Sequence, residues 1–253
     1  MGSLHNGHIK LIEKCSIECD EIIVSIFVNP TQFNNKTDLT NYPRSIEKDI
    51  ECVKKINPNA IIYTPKESDL YTSPAKAEIF DLDGIDKLIE GRYRKGHFQG
   101  VATIVKRLFE KFVPDYAFFG EKDYQQIVII KKLVKKNNLK VKIKSVLTVR
   151  EKNGLAMSSR NVLLDKKTRC EAKIIYESLC KAKRMIKTND FDKIKDFVSE
   201  LFLGNKKFNL EYFCIAENRS LKEVGSFNPK IKLRGFICAQ VQGVRLIDNI
   251  ALN

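Results

Sequence analysis

The sequence has no run of about 18 consecutive apolar residues, the length that a membrane-spanning helix requires, so no membrane span is expected. It does not open on a basic segment followed by an apolar one, so no signal peptide is expected either. No CxxC pair occurs among the seven cysteines, and this usage is typical of the reducing cytoplasm. Internal repeats and low-complexity linkers are absent as well.

The composition is that of a chain with enough apolar residues for a large core. Its 253 residues are 43% hydrophobic, which supports one large domain or two of ordinary size. The net charge of +14 suggests an anionic partner, either nucleic acid or a phosphorylated ligand. Because the lysines are spread along the chain, a composition rich in Lys, Asn and Ile explains the charge better, with attraction of a small anion as a side effect.

The most informative segment is MGSLHNGH, residues 1–8, in which His5 and His8 lie three positions apart with a glycine between them. Apolar residues follow at helical spacing, which predicts a helix over 4–19 with Ser3 as its N-cap. A helix N-terminus attracts phosphate, imidazoles can hydrogen-bond phosphate oxygens, and the glycine lets a base or ribose approach the backbone. The pattern indicates a nucleotide site of the HxGH type, although two surface histidines on an amphipathic helix would give the same pattern.

Strand and helix patterns alternate up to about residue 148, which predicts a parallel, doubly wound α/β sheet followed by a domain boundary. The predicted strands cover 21–29, 60–65, 115–120 and 141–149, and the predicted helices include 42–55, 101–112 and a segment that begins at 124. A smaller α+β domain is predicted after the boundary. Its helical patterns cover 166–186 and 191–203, and its β-like runs cover 210–216, 234–241 and 244–250, with Gln242-Gly243 as a hairpin turn.

Three further segments carry residues suited to a ligand site. Asn29 and Gln32 follow the first strand, at the end where an open α/β sheet binds its ligand, although an Asn-Pro pair is also typical of a simple turn. In the segment 121–123, Glu-Lys-Asp, a lysine can hold phosphate and an aspartate can hold a magnesium ion that bridges phosphates. The basic, glycine-rich segment 90–100 suits anion binding before a helix, and equally a flexible loop with solvated charges.

Seven segments together resemble the pantothenate synthetase family, the pantoate–β-alanine ligases of the HxGH nucleotidyltransferase superfamily. They are MGSLHNGH, SIFVNPTQF, YPRSIEKD, EGRYRKGHFQGVATIVKRLF, PDYAFFGEKDYQQ, VREKNGLAMSSRNVLL and VRLIDNI, in the family's order. The resemblance implies a Rossmann-like nucleotidyltransferase parallel sheet in residues 1–148, which binds ATP and pantoate. A smaller α+β C-terminal domain, residues 149–253, would carry the MSSR loop, and the protein would be a cytoplasmic homodimer.

The implied reaction has two steps and uses magnesium. ATP and pantoate give pantoyl adenylate and pyrophosphate, and the amine of β-alanine then attacks the adenylate to give pantothenate and AMP. Pantoate is already ionised at neutral pH, so its attack on the α-phosphorus needs no strong base. No nucleic acid or membrane partner is implied.

The resemblance also implies roles for individual residues. His8 matches the family's acid or proton donor, and with His5 and Lys122 it would neutralise the charge that moves onto pyrophosphate. Gln32 and Gln126 match the pantoate contacts, with Gln32 also close to β-alanine, and Asn29 is a further candidate contact from its position after the strand. The ATP contacts fall on Met1, Gly2, Ser3, Leu4, His5, Asn6, Gly7, His8, Gly120, Glu121, Lys122, Asp123, Val149, Met157, Ser158, Ser159 and Arg160.

Two departures from the family pattern concern the fold. Lys95 stands where the family usually has proline, which adds a charge to a loop and is expected to change little. In the family a strand ending in Pro-Thr precedes the Met-Gly that opens this sequence, so a strand with its lead-in, on the order of 20–30 residues, is expected to be missing. The sheet would then have two unpaired inner edges, and the chain is expected to fold or work poorly without the strand.

Three other interpretations remain open. Another HxGH nucleotidylyltransferase would need more basic residues for a phosphorylated acceptor than GEKDYQQ and Gln32 offer. A non-enzymatic RNA-binding module would need Lys and Arg clustered among exposed aromatic residues, whereas the lysines are scattered. An inactive, truncated form of the ligase is the third. Pyrophosphate release distinguishes these alternatives: the ligase releases it only with pantoate, another nucleotidylyltransferase only with a phosphorylated acceptor, and an RNA-binding module not at all.

Overall fold

Two units of different architecture make up the chain, Met1–Val149 and Arg150–Asn253. The structure is a computed structural model that describes residues 2–72, 74–188 and 190–253. Within this described part, no helix is long and apolar enough to cross a membrane.

The first unit contains short parallel strands in two separate pairs. They are β1 (Ile23–Ser25), β2 (Ile61–Tyr63), β3 (Tyr116–Gly120) and β4 (Lys142–Val146). β1 pairs with β2 and β3 pairs with β4, both in parallel, and in the described part of the chain no ladder joins the two pairs. The predicted parallel orientation is confirmed. The strands are shorter than predicted because each is hydrogen-bonded to one neighbour, and the ladder, not the apolar pattern, limits a strand's extent.

Helices alternate with these strands and bury their apolar faces in two clusters. They are α1 (Asn6–Glu18), α2 (Lys36–Asn41), α3 (Ile46–Ile56), α4 (Glu90–Tyr93), α5 (His97–Phe112) and α6 (Tyr124–Lys136). One cluster joins Ile12 of α1, Val53 of α3 and Val24 of β1. The other joins Ile104 of α5 and Leu133 of α6 and contacts apolar side chains of β3 and β4. Tyr63 of β2 also packs against this second cluster, and α1 also packs against β3, so side-chain packing joins the two strand pairs.

Local sequence patterns predict some of these boundaries incorrectly. The segment 90–100 is not a loop, since it forms α4 and the first turn of α5 around Gly96, whose φ of 80° permits the sharp reversal between them. The sequence does not predict α2 at all, because its six residues show no apolar periodicity. The side chain of Asn35 caps α2 by accepting from the N–H groups of Thr37 and Asp38.

The second unit is an antiparallel sheet with helices. It contains α7 (Lys166–Glu171), α8 (Lys173–Met185), α9 (Phe191–Leu203), β5 (Asn209–Glu217), β6 (Leu233–Val241) and β7 (Val244–Ala251), with strand order β5-β6-β7. The predicted helix over 166–186 is interrupted at Ala172, whereas α9 matches its predicted bounds. The hairpin turn is confirmed, because Gln242 and Gly243 have φ of 50° and 74°, as a type I′ turn requires.

Candidate active site

The first turn of α1 is built by its two histidines. His5, not Ser3, is the N-cap: its Nδ1 accepts from the N–H of Gly7 at 3.1 Å, while His8 Nδ1 accepts from the N–H of His5 at 3.3 Å. The ring centroids lie 4.1 Å apart. The prediction that Ser3 caps this helix is therefore wrong, because an imidazole takes the role expected of the hydroxyl. The prediction that the two histidines meet on the first turn is confirmed.

The protonation state of His8 follows from its surroundings. Burial lowers the pKa of this imidazole well below its ordinary value, and electrostatic interactions with His5 and then with Lys122 lower it further. Since Nδ1 accepts a hydrogen bond, a neutral His8 carries its proton on Nε2. At neutral pH His8 is thus an uncharged donor, and the ammonium of Lys122 lies within electrostatic range of it.

The turn after β3 supplies that ammonium. Residues Glu121–Asp123 form a short 3-10 turn that leads into α6. Lys122 Nζ lies 3.3 Å from Asp123 Oδ1, and Ser145 Oγ donates to Glu121 Oε1 at 3.1 Å. α1 packs against β3, the strand that this turn follows, and Lys122 is close enough to His8 to contribute to the lowered pKa of its imidazole. No group of three or more His, Cys, Asp and Glu suited to a metal ion occurs among the described residues.

The turn that carries Gln32 is pressed against the start of α5. A Cβ added at Gly100 would lie 2.2 Å from the carbonyl oxygen of Thr31, so only glycine allows this approach. Asn29 Nδ2 donates to the carbonyl of Gly100 at 3.1 Å, and Tyr71 donates its hydroxyl proton to Asn29 Oδ1 at 2.7 Å. Asn29 is 2% exposed, and its amide is engaged by the protein. Its predicted contact with substrate stays a prediction.

Two basic residues of the 90–100 segment hold the same turn. His97 lies 2.7 Å through Nδ1 from the Gln32 carbonyl, to which Arg94 also donates at 3.2 Å. Burial, and then the charge of Arg94, lower the pKa of His97 to about 4. A neutral His97 donates Nδ1–H to Gln32 and accepts from Arg94 through Nε2 at 3.2 Å. Sequence reasoning misses this role, and the only signal for it is the crowding of Arg, His and Gly in one segment.

Adjacent glutamines at the start of α6 differ in their surroundings. Gln125 is 5% exposed: it accepts from the N–H of Glu90 and donates to the carbonyls of Ile85 and Leu88. Gln126 is only partly buried. Gln125 therefore holds the neighbouring turn, and the role of Gln126 as a substrate contact stays a prediction.

The predicted ATP contacts of the first unit show a range of exposure. Gly2 is buried, Asn6 is exposed, and the others are partly buried; Met1 lies outside the described residues. The partly buried ones are Ser3, Leu4, His5, Gly7, His8, Gly120, Glu121, Lys122, Asp123 and Val149.

In the second unit, the predicted residues Met157–Arg160 lie where a loop enters a short 3-10 helix, Ser159–Leu163, whose N-cap is Ser158. Arg150 forms a bidentate pair with buried Asp248 and stacks on the ring of Tyr176, 3.8 Å from its centroid. Asn161 donates to Glu151 at 2.7 Å. Within the loop, Ser158 Oγ accepts from the N–H of Arg160 at 3.3 Å, and Ser159 is 5% exposed.

Comparisons with known proteins agree along the chain. The family model described as pantoate-beta-alanine ligase matches residues 1–251. The pantothenate synthetase of Christiangramia forsetii is 46% identical over the whole chain, which covers 89% of that protein. A crystal structure of pantothenate synthetase from Thermus thermophilus has a TM-score of 0.92 at 33% identity, covering all of this chain and 91% of that one. A Francisella tularensis pantoate-beta-alanine ligase, complexed with beta-gamma ATP and beta-alanine, has a TM-score of 0.76 at 34% identity, covering all of this chain and 87% of that one.

Proposed function

The chain belongs to the pantoate–β-alanine ligase family and catalyses the ATP-dependent ligation of pantoate to β-alanine in pantothenate biosynthesis; we propose which of its residues carry out that reaction. In the first step a carboxylate oxygen of pantoate bonds to the α-phosphorus of ATP and pyrophosphate leaves. In the second step the amine of β-alanine bonds to the acyl carbon and AMP leaves. Both steps need positioned reactants and donors for the charge on the leaving group.

The N-terminus of α1 binds the phosphates of ATP. His8, neutral with its proton on Nε2, donates to a phosphate oxygen, and Lys122 neutralises charge that moves onto pyrophosphate. The observation that carries this assignment is the packing of α1, which begins at the HxGH turn, against β3, which ends at the turn of Lys122; the influence of Lys122 on the pKa of His8 agrees with it. His5 supports the same site, since its ring caps the helix and lies in a tilted contact with the ring of His8.

Pantoate is read by neutral amides. Gln32 and Gln126 can donate to the carboxylate and accept from hydroxyl groups without titrating. The support for Gln32 is its tightly held backbone, fixed by Arg94, His97 and the close approach of Gly100. Asn29 helps to hold the same turn, because its buried side-chain amide donates to the carbonyl of Gly100.

Magnesium would be held by Asp123 together with the phosphates of ATP. The side chain of Asp123 is 47% exposed, and Mg²⁺ is commonly bound through one or two carboxylates and substrate phosphates with several waters retained. The ion would neutralise phosphate charge. Met157, Ser158, Ser159 and Arg160 are assigned to ATP from the family pattern alone.

The family pattern also favours a homodimer. A cytoplasmic location is supported by seven free thiols, because unpaired cysteines persist in reducing compartments.

Pyrophosphate release tests the proposal. The purified chain is supplied with ATP and Mg²⁺, with pantoate and β-alanine added singly and together. Pyrophosphate is expected only when pantoate is present, and pantothenate only when β-alanine is added too. Release that ignores pantoate, or that requires a phosphorylated acceptor instead, would assign the chain to another nucleotidyl transfer.

A further inference from the structure

A buried carboxylate accepts hydrogen bonds from the backbone just before the two histidines. Asp49, in the first turn of α3, is 3% exposed. Its Oδ2 accepts from the N–H of Ser3 and its Oδ1 accepts from the N–H of Leu4, both at 2.7 Å. Each oxygen thus serves one of two consecutive peptide groups. A carboxylate is suited to this position because it is acceptor-only, and because the N-terminal end of a helix stabilises negative charge.

The turn that Asp49 holds has a backbone conformation that is unfavourable for residues other than glycine. Ser3 has a φ of 51°, in the left-handed region that residues other than glycine avoid. Leu4 packs against the apolar cluster of α1 and α3. His5 is the next residue and caps α1, so a shift of residues 3–4 would displace the imidazole that contacts the ring of His8.

We propose that Asp49 is a positioning residue for adenylate formation, which holds the turn at residues 3–4 so that His5 and His8 face the phosphates of ATP. It touches no reactant and acts through two backbone N–H groups. The proposal rests on the proposed function, because it assumes that the histidines serve the ATP step. Small displacements of positioned groups can reduce rates by about 100-fold, so the effect of Asp49 is expected on rate more than on binding of pantoate.

Asp49→Asn tests the proposal with little change in volume. One oxygen becomes an NH₂ group, which would face a backbone donor and cannot accept from it. We expect the single-turnover rate of adenylate formation to fall about 10- to 100-fold, with the KM for pantoate within about threefold of the native value. Glu47→Gln is the matched control: it removes the same charge from an exposed position on the same helix and is expected to leave the rate unchanged.

A second measurement does not depend on activity. The chain has three histidines, so the imidazole ¹⁵N signals of His5, His8 and His97 can be assigned by substitution. In Asp49→Asn we expect the signals of His5 and His8 to move and those of His97, which is held by Gln32 and Arg94, to stay. In the native chain, slow amide hydrogen exchange at Ser3 and Leu4 is expected, because both donate to a buried carboxylate. This measurement is made on the native chain, so it does not depend on whether a variant folds.

The outcomes distinguish a failure of the positioning role of Asp49 from a failure of the proposed ligase function. A rate for Asp49→Asn within twofold of the native rate would overturn the positioning role. So would a slow variant whose His5 and His8 signals match the native ones, since the loss would then come from general destabilisation. Unprotected amides at Ser3 and Leu4 would contradict the contact itself. If the native chain shows no ligation, the proposed function is wrong. The ¹⁵N signals of His5 and His8 in Asp49→Asn still test whether Asp49 positions these two side chains.

Discussion

The ammonium of Lys122, which follows β3, adds to burial and to His5 in lowering the pKa of the partly buried His8 imidazole in the first turn of α1, and α1 packs against β3. Two turns far apart in sequence therefore share one electrostatic environment. In this pair the neutral histidine can donate a hydrogen bond to a phosphate oxygen, and the nearby lysine supplies positive charge. That pairing suits a step in which negative charge moves onto a leaving pyrophosphate.

Removing either member of the pair should slow the chemical step. His8→Ala and Lys122→Ala are each expected to reduce adenylate formation at least ~100-fold, the scale observed for loss of one preorganised donor. Rapid-quench single-turnover assays with saturating ATP measure this. Lys10→Ala, an exposed lysine of α1 paired with Glu13, is the control and should stay near the native rate. Rates within threefold for both test variants would contradict the assignment.

The free energy of unfolding should depend on pH through two histidines. The pKa values of His8 and His97 are lower in the folded chain than in the unfolded one, where they are about 6.5. As the pH falls below about 6.5, the unfolded chain binds protons that the folded chain excludes, so stability decreases. The decrease from His97 continues to about pH 4. Urea unfolding at pH 7, 6 and 5 checks this, and His97→Gln should flatten the curve.

Gly100→Ala should disturb the pantoate turn. The added methyl group would meet the carbonyl of Thr31, so the turn must shift together with Gln32. We expect a lower melting temperature and a KM for pantoate raised more than that for ATP. Gly225→Ala, at an exposed site with open space around its Cβ position, serves as control for the substitution type. Equal effects of Gly100→Ala on both KM values would argue against a specific link to pantoate.

Neighbouring glutamines should behave differently. Gln126→Ala and Gln32→Ala are expected to raise the KM for pantoate about tenfold, since an unpaired polar group on the bound acid costs roughly 1–3 kcal/mol. Gln125→Ala should instead lower the melting temperature, because its amide joins three backbone groups in the interior. Steady-state kinetics and thermal melts on the same preparations make the comparison. A KM unchanged in Gln126→Ala would remove it from the site.

Features encoded by neighbouring residues were predictable from the sequence. The apolar spacing of Phe191–Leu203 yields α9 with its observed bounds, and Gln242-Gly243 yields the hairpin. The family and its reaction were also predictable from motifs such as MGSLHNGH and GEKD, because a family pattern depends on residue type and order, whereas the roles of the individual residues stay predictions. The contacts that hold the site were not: Asp49 reaches Ser3, and His97 reaches the Gln32 carbonyl, across stretches in which no local pattern marks the partner. Strand lengths failed for the same reason, since a ladder depends on its neighbours.

The separation of the β1–β2 and β3–β4 pairs affects how this unit loses structure. Without a shared ladder in the described part of the chain, the two pairs are joined by side-chain packing alone, through α1 against β3 and through Tyr63 of β2 in the cluster of α5 and α6. Opening of one pair therefore breaks packing but no ladder hydrogen bond to the other pair. The turn bearing Gln32 follows β1, whereas Lys122 follows β3. A ligand that contacts both turns would therefore add a further link between two strand pairs that no described ladder joins, and its binding would raise the melting temperature of both.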